Sequence, residues 1–381
     1  MKVLNICVNG AYTDGFSYHE NMLPKYHKLI GHDVSILASK YEFNGFGQIT
    51  KADTERFIDV NGIEVIRLDI KGNKSIRTKF KRFDNFYQAL ERINPDIIFC
   101  HLFQFLDLAL IVKYVKRNKN VKLFIDSHAD SKNSGRNLIS RILLHGLIWR
   151  RLAHKALPFA EKFIGVTPAR VDFLINTYKL PRDKVELLPL GADDEIVAKA
   201  TQPQIRDKKR KDYGLFESDF IIITGGKIDH NKPQTIAFME AVNRLEVPNV
   251  RLLVFGLVSD DLKSAFDEQL SDKVKYIGWK KSEEIYYEFA AADLVVFPGL
   301  HSVLWEQAVG MGKPCIFKDI KGFHHIDLGG NCLFFENDSV EEYVAKIMQA
   351  KANLDSMRDV AEESGMKYFS YKEIAKKSIG M

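Results

Sequence analysis

The segment between Asp293 and Ile316 restricts the fold more than any other part of the sequence. An apolar run of β type ends at Pro298-Gly299, and a helix and a second short strand are predicted after it. The helix carries a single acidic residue, Glu306. Such a strand–loop–helix–strand unit places the carboxylate about one turn inside a helix at the carboxyl end of a parallel sheet, where α/β proteins bind nucleotides. A carboxylate at that place suits the paired hydroxyls of a ribose.

Short β-branched runs alternate with longer amphipathic segments along the whole chain, which is typical of βα units and a parallel sheet. With 381 residues, the chain is too long for one ordinary α/β core and suits two doubly wound domains. The predicted strands of the first domain lie near Val3–Val8, Asp33–Ala38, Val65–Leu68, Asp96–Cys100, Lys122–Ile125, Phe163–Val166 and Val185–Leu188. Those of the second lie near Phe220–Thr224, Val250–Phe255, Val274–Ile277, Leu294–Phe297, Pro314–Ile316 and Cys332–Phe335.

The domain boundaries follow from these two sets of strands. We expect an N-terminal domain over residues 1–194, a C-terminal domain over residues 205–360 and a final helical segment over residues 361–381. Between the two sets, Pro189–Asp194 and the polar, strand-free stretch that runs to Lys211 form the predicted linker.

Composition limits the class of protein. At 46% hydrophobic and 28% charged residues, the chain is predicted to be soluble and globular, and its net charge of +5 gives no argument for nucleic acid as a partner. No apolar run approaches the roughly 18–20 residues of a membrane span, and the N-terminus enters a strand without a signal-peptide cleavage site. Four cysteines without metal-site or redox spacing predict buried free thiols and a cytoplasmic location: Cys7, Cys100, Cys315 and Cys332.

The stretch Thr224–Pro233 follows a clear strand and precedes a predicted helix, Gln234–Leu245. Its glycines, including Gly226, allow close backbone approach, and Lys227 and Lys232 add positive charge. Free N–H groups and the positive end of a helix dipole then form an anion site for a phosphate. An ordinary βα loop with solvated lysines explains the same pattern, and the residues alone do not decide between the two.

Two further groups of polar residues follow predicted strands. His128 stands between Asp126 and Asp130 at the end of one strand, where it is placed to act as a base or a hydrogen-bond donor, although turn capping explains the pattern as well. His101 is a second candidate at the end of the neighbouring strand.

The first βα loop and the helix start after it contribute five further candidates, namely Gly10, Gly15, Ser17, Tyr18 and Glu20. A plain helix start explains the same residues, with Ser17 as N-cap and Glu20 completing a capping box.

With these motifs the chain resembles nucleotide-sugar glycosyltransferases of the GT-B fold, most closely the large family 4. The resemblance implies two Rossmann-like domains facing a cleft, with the last helix, Tyr371–Lys377, crossing back onto the N-terminal domain. It implies that Glu306 holds the donor ribose and that Lys227 and Lys232 bind the diphosphate. The family usually has arginine at the position of Lys227 and lysine at the position of Lys232. The resemblance also implies further donor-binding residues, namely Gly226, Trp279 beside the base, and His301 and Ser302 near the sugar.

In the N-terminal domain, the family often has a histidine that contacts the donor sugar at the position of His128. The resemblance implies catalytic roles for His128, Asp130 and Glu20, and acceptor-side roles for Gly15, Ser17 and Tyr18, all of them in the N-terminal domain. GT-B enzymes generally use neither a metal nor another cofactor, so a nucleoside diphosphate sugar is the only small molecule expected besides the acceptor.

One departure from the family concerns the loop before Glu306. The first glutamate of the family's Glu-x7-Glu motif is absent, Pro298 takes its position, and the loop is about four residues shorter than usual. His301 or Ser302 is the predicted helix cap there. The shorter loop resembles that of inverting GT-B enzymes that build peptidoglycan precursors. Family membership favours retention of configuration, whereas the shorter loop leaves inversion open.

Two basic segments of the N-terminal domain, Lys71–Arg82 and Leu138–Lys162, mix cationic and apolar residues. Such a pattern is typical of helices that lie on anionic lipid, and also of core helices with a solvated cationic face.

The sequence as a whole predicts transfer of a sugar from a UDP-linked donor to a saccharide or lipid-linked acceptor in surface-polysaccharide assembly, at the inner face of the cell membrane. The alternatives are an inverting transferase, a nucleotide-sugar epimerase on the same fold and an inactive scaffold.

Overall fold

The computed structural model describes residues 1–44, 48–72, 75–130, 134, 140–230 and 233–381. The chain divides into two compact units. Unit 1 consists of Met1–Pro189 and Tyr371–Met381, and unit 2 of Leu190–Ser370. The predicted boundaries at residues 194 and 361 therefore differ from those of the structure. Residues 361–370 stay in unit 2 because they pack on its own helices, with Gly365 lying against Val309.

Unit 1 is an α/β sandwich around one large sheet. Its strands are β1 (Lys2–Cys7), β2 (Asp33–Ser39), β3 (Tyr41–Phe43), β4 (Ile49–Lys51), β5 (Arg56–Ile58), β6 (Glu64–Leu68), β7 (Ile97–Cys100), β8 (Lys122–Ser127), β9 (Lys162–Gly165) and β10 (Val185–Leu187). Its helices are α1 (His19–Leu29), α2 (Phe86–Ile93), α3 (Leu108–Arg117), a π-helical segment (Ser140–Trp149), α4 (Arg150–Ala156), α5 (Pro168–Asn176), a short 3-10 turn (Arg182–Lys184) and α15 (Tyr371–Ser378).

The sheet of unit 1 runs in the order β10-β9-β8-β7-β1-β2-β6-β5. Its strands are parallel except β5, which pairs antiparallel with β6, and β3 and β4 form a separate antiparallel pair. The seven strands predicted for this half are all present. Strands β3, β4 and β5 were not predicted, because each has only three residues, none of them buried, and so carries no apolar run.

The alternation of β1 sets the two faces of this sheet. Leu4 and Ile6 belong to the apolar core on one face, whereas Val3 and Cys7 belong to the core on the other face, which α1 and α15 cover. Because successive side chains of a strand point to opposite faces, Asn5 also faces α1 and α15. Its Nδ2 atom lies 3.3 Å from Nδ1 of His27.

Helix α15 lies on α1 within unit 1. Nε2 of His27 and Oγ of Ser378 share a buried hydrogen bond of 2.8 Å, and the rings of Tyr26 and Tyr371 stack with their centroids 5.9 Å apart. The segment Tyr371–Lys377, expected to return to the N-terminal domain, belongs to this helix. A buried polar pair and an aromatic stack therefore fix the last residues of the chain to the first helix.

Unit 2 is a second α/β sandwich. Its strands are β11 (Phe220–Ile228), β12 (Val250–Val258), β13 (Val274–Tyr276), β14 (Leu294–Phe297), β15 (Cys315–Lys318) and β16 (Cys332–Phe335). Its helices are α6 (Asp194–Ala200), α7 (Pro203–Asp212), α8 (Gln234–Arg244), α9 (Lys263–Asp267), α10 (Ser282–Ala291), α11 (Leu304–Gly310), α12 (Val340–Ala352), α13 (Leu354–Val360) and α14 (Met366–Tyr368), with a π-helical turn at Ala361–Gly365 and 3-10 turns at Asp260–Leu262 and His324–Ile326.

The sheet of unit 2 is parallel and runs in the order β13-β12-β11-β14-β15-β16. Numbered within the unit, this is the order 3-2-1-4-5-6 of a doubly wound nucleotide-binding fold, in which the strand order reverses between the first and fourth strands. Ligands bind at that reversal, outside the carboxyl ends of the strands. In unit 2 the reversal lies between β11 and β14.

The predicted linker was wrong. Residues 190–211 belong to unit 2 and form α6 and most of α7. The side chain of Asp193 caps α6 by accepting a hydrogen bond from the backbone N–H of Glu195. In α7, Arg210 is buried and its Nη2 donates to Asp293 at 2.7 Å. The sequence misled because charged side chains of α7, including Arg210 and Lys209, pair with acids of unit 2 where an apolar stripe would be expected.

Two other sequence features have outcomes in the fold. All four cysteines are buried and free, which confirms the predicted thiols. Among the described residues, none of the helices combines the length and the apolar character that a membrane-spanning helix needs.

Strand β11 is longer than predicted. It was expected to end at Thr224 but continues to Ile228, paired in register with β12 as far as Val258. The extension depends on facing glycines, because Gly226 lies opposite Gly256 and a Cβ atom on Gly256 would lie 1.8 Å from the carbonyl oxygen of Gly226. The run Thr224–Ile228 is therefore strand rather than loop.

Replacement of Gly256 by alanine should destabilise unit 2 by more than about 3 kcal/mol, since its φ of +118° and the contact with Gly226 both exclude a side chain. The matched control is Gly278→Ala, where φ is +77° but no atom lies within 4 Å of the added Cβ. That variant should lose only about 1 kcal/mol. Chemical denaturation followed by circular dichroism measures both, and equal losses would show that crowding at Gly256 contributes nothing.

Candidate functional site

The candidate donor side of the molecule lies at the strand-order reversal of unit 2. Strand β11 brings Gly226 and Lys227 to the carboxyl edge of the sheet, and the loop after β14 leads into α11, which carries Glu306. A Cβ atom built on Gly226 would lie 3.9 Å from Cδ1 of Leu304, the first residue of α11. The structure therefore brings Gly226, a glycine of the stretch Thr224–Pro233, close to the start of the helix that carries Glu306.

Helix α11 starts later than predicted. Its N-cap is Val303, without a side-chain hydrogen bond, so the expectation that His301 or Ser302 caps it was wrong. His301 instead uses Nε2 to bond Oε1 of Glu306 at 2.8 Å. Its ring also lies against Phe323, with centroids 4.6 Å apart. The imidazole is therefore held by a carboxylate and an aromatic ring rather than by the helix end.

Glu306 is fully buried and interacts with two histidines. Besides His301, Nε2 of His325 lies 3.4 Å from Oε1 of Glu306, and Oε2 has no hydrogen-bond partner among the described residues. Burial, the strongest influence, acts to raise the pKa of Glu306, but His301 and His325 outweigh it and bring the pKa from 4.5 to about 2. Glu306 is thus an ionised carboxylate with one oxygen left over for a further hydrogen-bond donor. His325 was not predicted, since it follows β15, far from Glu306 in the sequence.

The remaining donor candidates are more exposed. The side chain of Lys227 is 73% exposed, and its Nζ atom lies 3.1 Å from Asp229. Lys232 lies outside the described residues. Trp279 is 56% exposed and follows Gly278, whose carbonyl accepts a hydrogen bond from the N–H of Gly256. Helix α8 begins at Gln234 after Pro233 without a side-chain cap, so its first N–H groups have no capping side chain.

In unit 1 a cluster of three histidines surrounds Asp126 at the carboxyl ends of β7 and β8. Oδ2 of Asp126 lies 3.5 Å from Nε2 of His19, 3.2 Å from Nδ1 of His101 and 3.4 Å from Nε2 of His128. Oδ1 accepts a 2.8 Å hydrogen bond from the N–H of Leu102. One buried carboxylate therefore positions all three imidazoles.

The charges in this cluster follow from its burial. Burial is the strongest influence on the pKa of Asp126 and acts to raise it, but His128 and His101 outweigh it, so that this pKa lies well below its usual range. Burial also lowers the pKa of His19 well below its usual range, and His101 lowers it further. His19 is therefore neutral at physiological pH. It was missed in the sequence, where only its neighbours Tyr18 and Glu20 were considered.

The structure separates the two acids that flank His128 in the sequence. Asp126 contacts it, whereas Asp130 pairs with Arg170, with Nε of the arginine 3.6 Å from Oδ2. The imidazole of His128 is 23% exposed, which makes it the most accessible histidine of the cluster. This exposure suits a contact with substrate.

The first βα loop differs from its predicted form. Helix α1 begins at His19 with Tyr18 at the N-cap and without a side-chain cap, so the capping-box interpretation of Ser17 and Glu20 was wrong. Gly15 has a φ of +73°, which favours glycine, and Tyr18 is exposed. Glu20 is half-buried in the first turn of α1. Ser17, Tyr18 and Glu20 thus lie just before or beside His19, at the edge of the histidine cluster.

The same cluster contains the metal-ligand geometry found within the described ranges. His19, Asp126 and His128 each offer one ligand atom, and these atoms lie within 4.8 Å of one another. Imidazole and carboxylate are ligands that suit zinc. The group can thus act either as two imidazoles that share one carboxylate or as a cation site with three ligands.

Comparison with known proteins identifies the family. Residues 24–196 match the family described as Glycosyltransferase Family 4, and residues 205–366 match Glycosyl transferases group 1. The chain belongs to the family 4-like, group 1 glycosyltransferases. The first match covers most of unit 1, including His128, but begins after Glu20, and the second covers most of unit 2, including Glu306.

Individual relatives are distant. The chain is 28% identical over 180 residues to a D-inositol 3-phosphate glycosyltransferase of Pseudarthrobacter chlorophenolicus, and the aligned region covers 44% of this chain and 42% of the relative. It is 24% identical over 301 residues to a mannosylfructose-phosphate synthase of Agrobacterium fabrum. That alignment covers 65% of this chain and 64% of the relative. The matched region is thus less than two thirds of the length of either relative.

A solved structure shares the fold of this chain. HepE of Anabaena in complex with UDP matches with a TM-score of 0.67 and 17% identity, over 99% of this chain and 98% of that chain. The fold of this glycosyltransferase is therefore GT-B, with two Rossmann-like domains, as predicted.

The buried pair of Glu306 and His301 predicts an acid-dependent loss of stability. Because the pKa of Glu306 is lower in the folded than in the unfolded chain, its stabilisation is complete above pH 4.5 and disappears as the pH falls towards 2. The Glu306→Gln variant should therefore be less stable at pH 7 by on the order of 3 kcal/mol.

That difference should shrink below pH 4.5, as measured by denaturant unfolding at several pH values. The control is Glu217→Gln, since Glu217 is exposed and should show no difference at any pH. A Glu306→Gln difference that stays constant between pH 7 and pH 3 would contradict the assignment of an ionised, histidine-paired carboxylate.

Proposed function

We propose that the protein transfers a sugar from a UDP-linked donor to a saccharide or lipid-linked saccharide acceptor in surface-polysaccharide assembly, with retention of configuration. The observation that carries the proposal is the strand-order reversal of unit 2, where Gly226 on β11 lies near the start of α11 and Glu306 lies within that helix. This is where doubly wound sheets bind nucleotides. The UDP complex of HepE, which shares the fold, supports UDP as the nucleotide.

In this proposal the donor binds to unit 2. The N–H groups at the start of α8, together with Lys227 and Lys232, stabilise the diphosphate as negative charge grows on the leaving group. These groups replace a metal ion, so we propose that no metal or other cofactor is required. Glu306 accepts hydrogen bonds from the ribose, and His301 and Ser302 lie in the loop that we assign to the sugar. Trp279 provides an exposed ring for the base.

The acceptor is assigned to unit 1. His128 is the accessible member of the histidine cluster, and Asp126 holds it in place. The first βα loop and the first turn of α1 carry the other candidates, namely Gly15, Ser17, Tyr18 and Glu20. We assign the acceptor hydroxyl to the region of His128. Asp130 fixes the loop that contains His128 by pairing with Arg170.

A peripheral contact with anionic membrane belongs to the same proposal. The π-helical segment Ser140–Trp149 exposes Ile142, Leu143 and Leu147, and arginines follow it in α4. Apolar side chains beside cationic ones favour the interface of an anionic bilayer. We therefore place the protein at the inner face of the cell membrane, where a lipid-linked acceptor is available.

The test is a screen of nucleotide sugars for UDP release, with and without a lipid extract, in buffer that contains EDTA. The proposed transferase releases UDP only when an acceptor is present. An epimerase would convert its nucleotide sugar without acceptor, and an inactive scaffold would not bind UDP in calorimetry. Activity that disappears in EDTA and returns with Zn²⁺ or Mg²⁺ would refute the metal-independent mechanism.

Glu306→Ala should weaken UDP binding by about 1.5–3 kcal/mol, which is roughly ten- to a hundredfold, because the ribose hydroxyls lose a charged acceptor. Isothermal titration calorimetry measures the change. Unchanged UDP affinity in Glu306→Ala would remove Glu306 from the donor site.

Lys227→Met should lower turnover more than stability, because an exposed lysine contributes little to folding but stabilises charge in the transition state.

The stereochemical outcome should be retention, and proton NMR of the product's anomeric centre measures it. A retaining reaction needs no enzymic base, because the donor's own phosphate assists. In that case, His128→Ala should lower turnover through a lost hydrogen bond. An inverted product would overturn the proposed retention, and activity of His128→Ala in an inverting enzyme would shift the role of base to Glu20.

A further inference from the structure

Unit 1 contains a cavity of about 460 Å³ next to His128 whose lining is strongly cationic. The described residues that line it include three cationic side chains and two imidazoles but no carboxylate. The cations are Arg77, Lys79 and Lys81, and the imidazoles are His128 and His145. Its size is that of a small-molecule site.

Lys81 is the feature of this cavity that solvation does not explain. It is only 7% exposed, and its Nζ atom donates to the carbonyl of Asn9 at 2.9 Å. Burial alone lowers its pKa, to about 8, with no acidic group acting on it. A buried ammonium without a counter-charge is costly, and proteins keep such groups where a ligand supplies the opposite charge.

The neighbouring acids are occupied elsewhere. Asp126 is surrounded by the three imidazoles of the histidine cluster, and Asp130 pairs with Arg170. His145 shares a 2.7 Å hydrogen bond with the hydroxyl of Tyr178. The positive charge of the cavity is therefore not balanced by the protein's own carboxylates among the described residues.

We propose that this cavity binds a phosphoryl group of the acceptor. A phosphate monoester carries nearly two negative charges and three acceptor oxygens, and a phosphodiester carries one negative charge and two free oxygens. Either group suits a buried lysine flanked by a second lysine and an arginine. The inference rests on the proposed transferase function and specifies its acceptor as a phosphorylated saccharide. Because His128 lines the same cavity, the bound phosphate fixes the acceptor beside that imidazole.

Two sources supply this chemistry, namely a soluble sugar phosphate and a saccharide carried on a lipid phosphate. Leu144 lines the cavity, and its neighbours in the π-helical segment, Leu143 and Leu147, are exposed. An apolar chain attached to the phosphate would thus find apolar side chains beside the cavity. The experiment has a separate arm for each source.

The first measurement is calorimetry in the presence of saturating UDP, so that phosphate probes cannot occupy the donor site. Glucose 6-phosphate is titrated against glucose in one arm, and polyisoprenyl phosphate against polyisoprenol, both in detergent micelles, in the other. At least one phosphorylated probe should bind at least tenfold more tightly than its unphosphorylated partner. Absence of such a preference in both arms would overturn the proposal.

The second measurement uses Lys81→Met, which keeps the length of the side chain and removes its charge, with the exposed Lys119→Met as matched control. Lys81→Met should lose at least tenfold in affinity for the preferred phosphorylated probe and should keep its UDP affinity and melting temperature. The control should bind like the wild type. Equal binding by Lys81→Met and wild type would overturn the assignment of the cavity.

The UDP titration separates this proposal from the proposed function. If UDP binds but no phosphorylated probe shows the preference, only the acceptor inference fails. If UDP does not bind, the transferase function fails, and the saturating-UDP condition must be replaced by titration of the unliganded protein. A phosphate preference that Lys81→Met retains would place the anion site outside the cavity.

Discussion

Each unit of this glycosyltransferase buries one carboxylate near the carboxyl end of its sheet and surrounds it with imidazoles. Asp126 contacts three histidines in unit 1, and Glu306 contacts two in unit 2. A buried carboxylate is costly unless it is paired and hydrogen-bonded, so these histidines stabilise the fold around the candidate site. In return, each carboxylate orients one histidine that remains partly accessible, His128 in unit 1 and His301 in unit 2.

The burial of Glu306 changes what its assignment to the ribose requires. Neither oxygen of the carboxylate reaches solvent in this state, and Oε1 is already bonded to His301. A ribose hydroxyl therefore reaches Glu306 only after the side chains that cover it move. If they stay in place, Glu306 acts through His301, and the imidazole makes the contact with the donor. A ligand that binds after such movement must offset the lost pairing between Glu306 and His301.

The sequence predicted the strands well because buried parallel strands are apolar runs, and it predicted Glu306 and His128 because each follows such a run. It also placed Asp126 and His101 near His128, at the ends of neighbouring strands. It could not predict His19 or His325, because each reaches its carboxylate only after separate elements of the chain have folded together. Lys81 was missed for a different reason. Its segment alternates cationic and apolar residues, and nothing in that pattern shows which lysine the fold buries.

The geometry around Asp126 also bears on stereochemistry. A general base gains strength when a carboxylate is dedicated to it and stabilises the imidazolium that forms. Here Oδ2 of Asp126 lies within 3.5 Å of three imidazoles, so its charge is divided among them. His128 is therefore better suited to donate a hydrogen bond than to remove a proton. That role fits a reaction in which the leaving phosphate, rather than the enzyme, assists the acceptor, and it favours retention despite the shortened loop before Glu306.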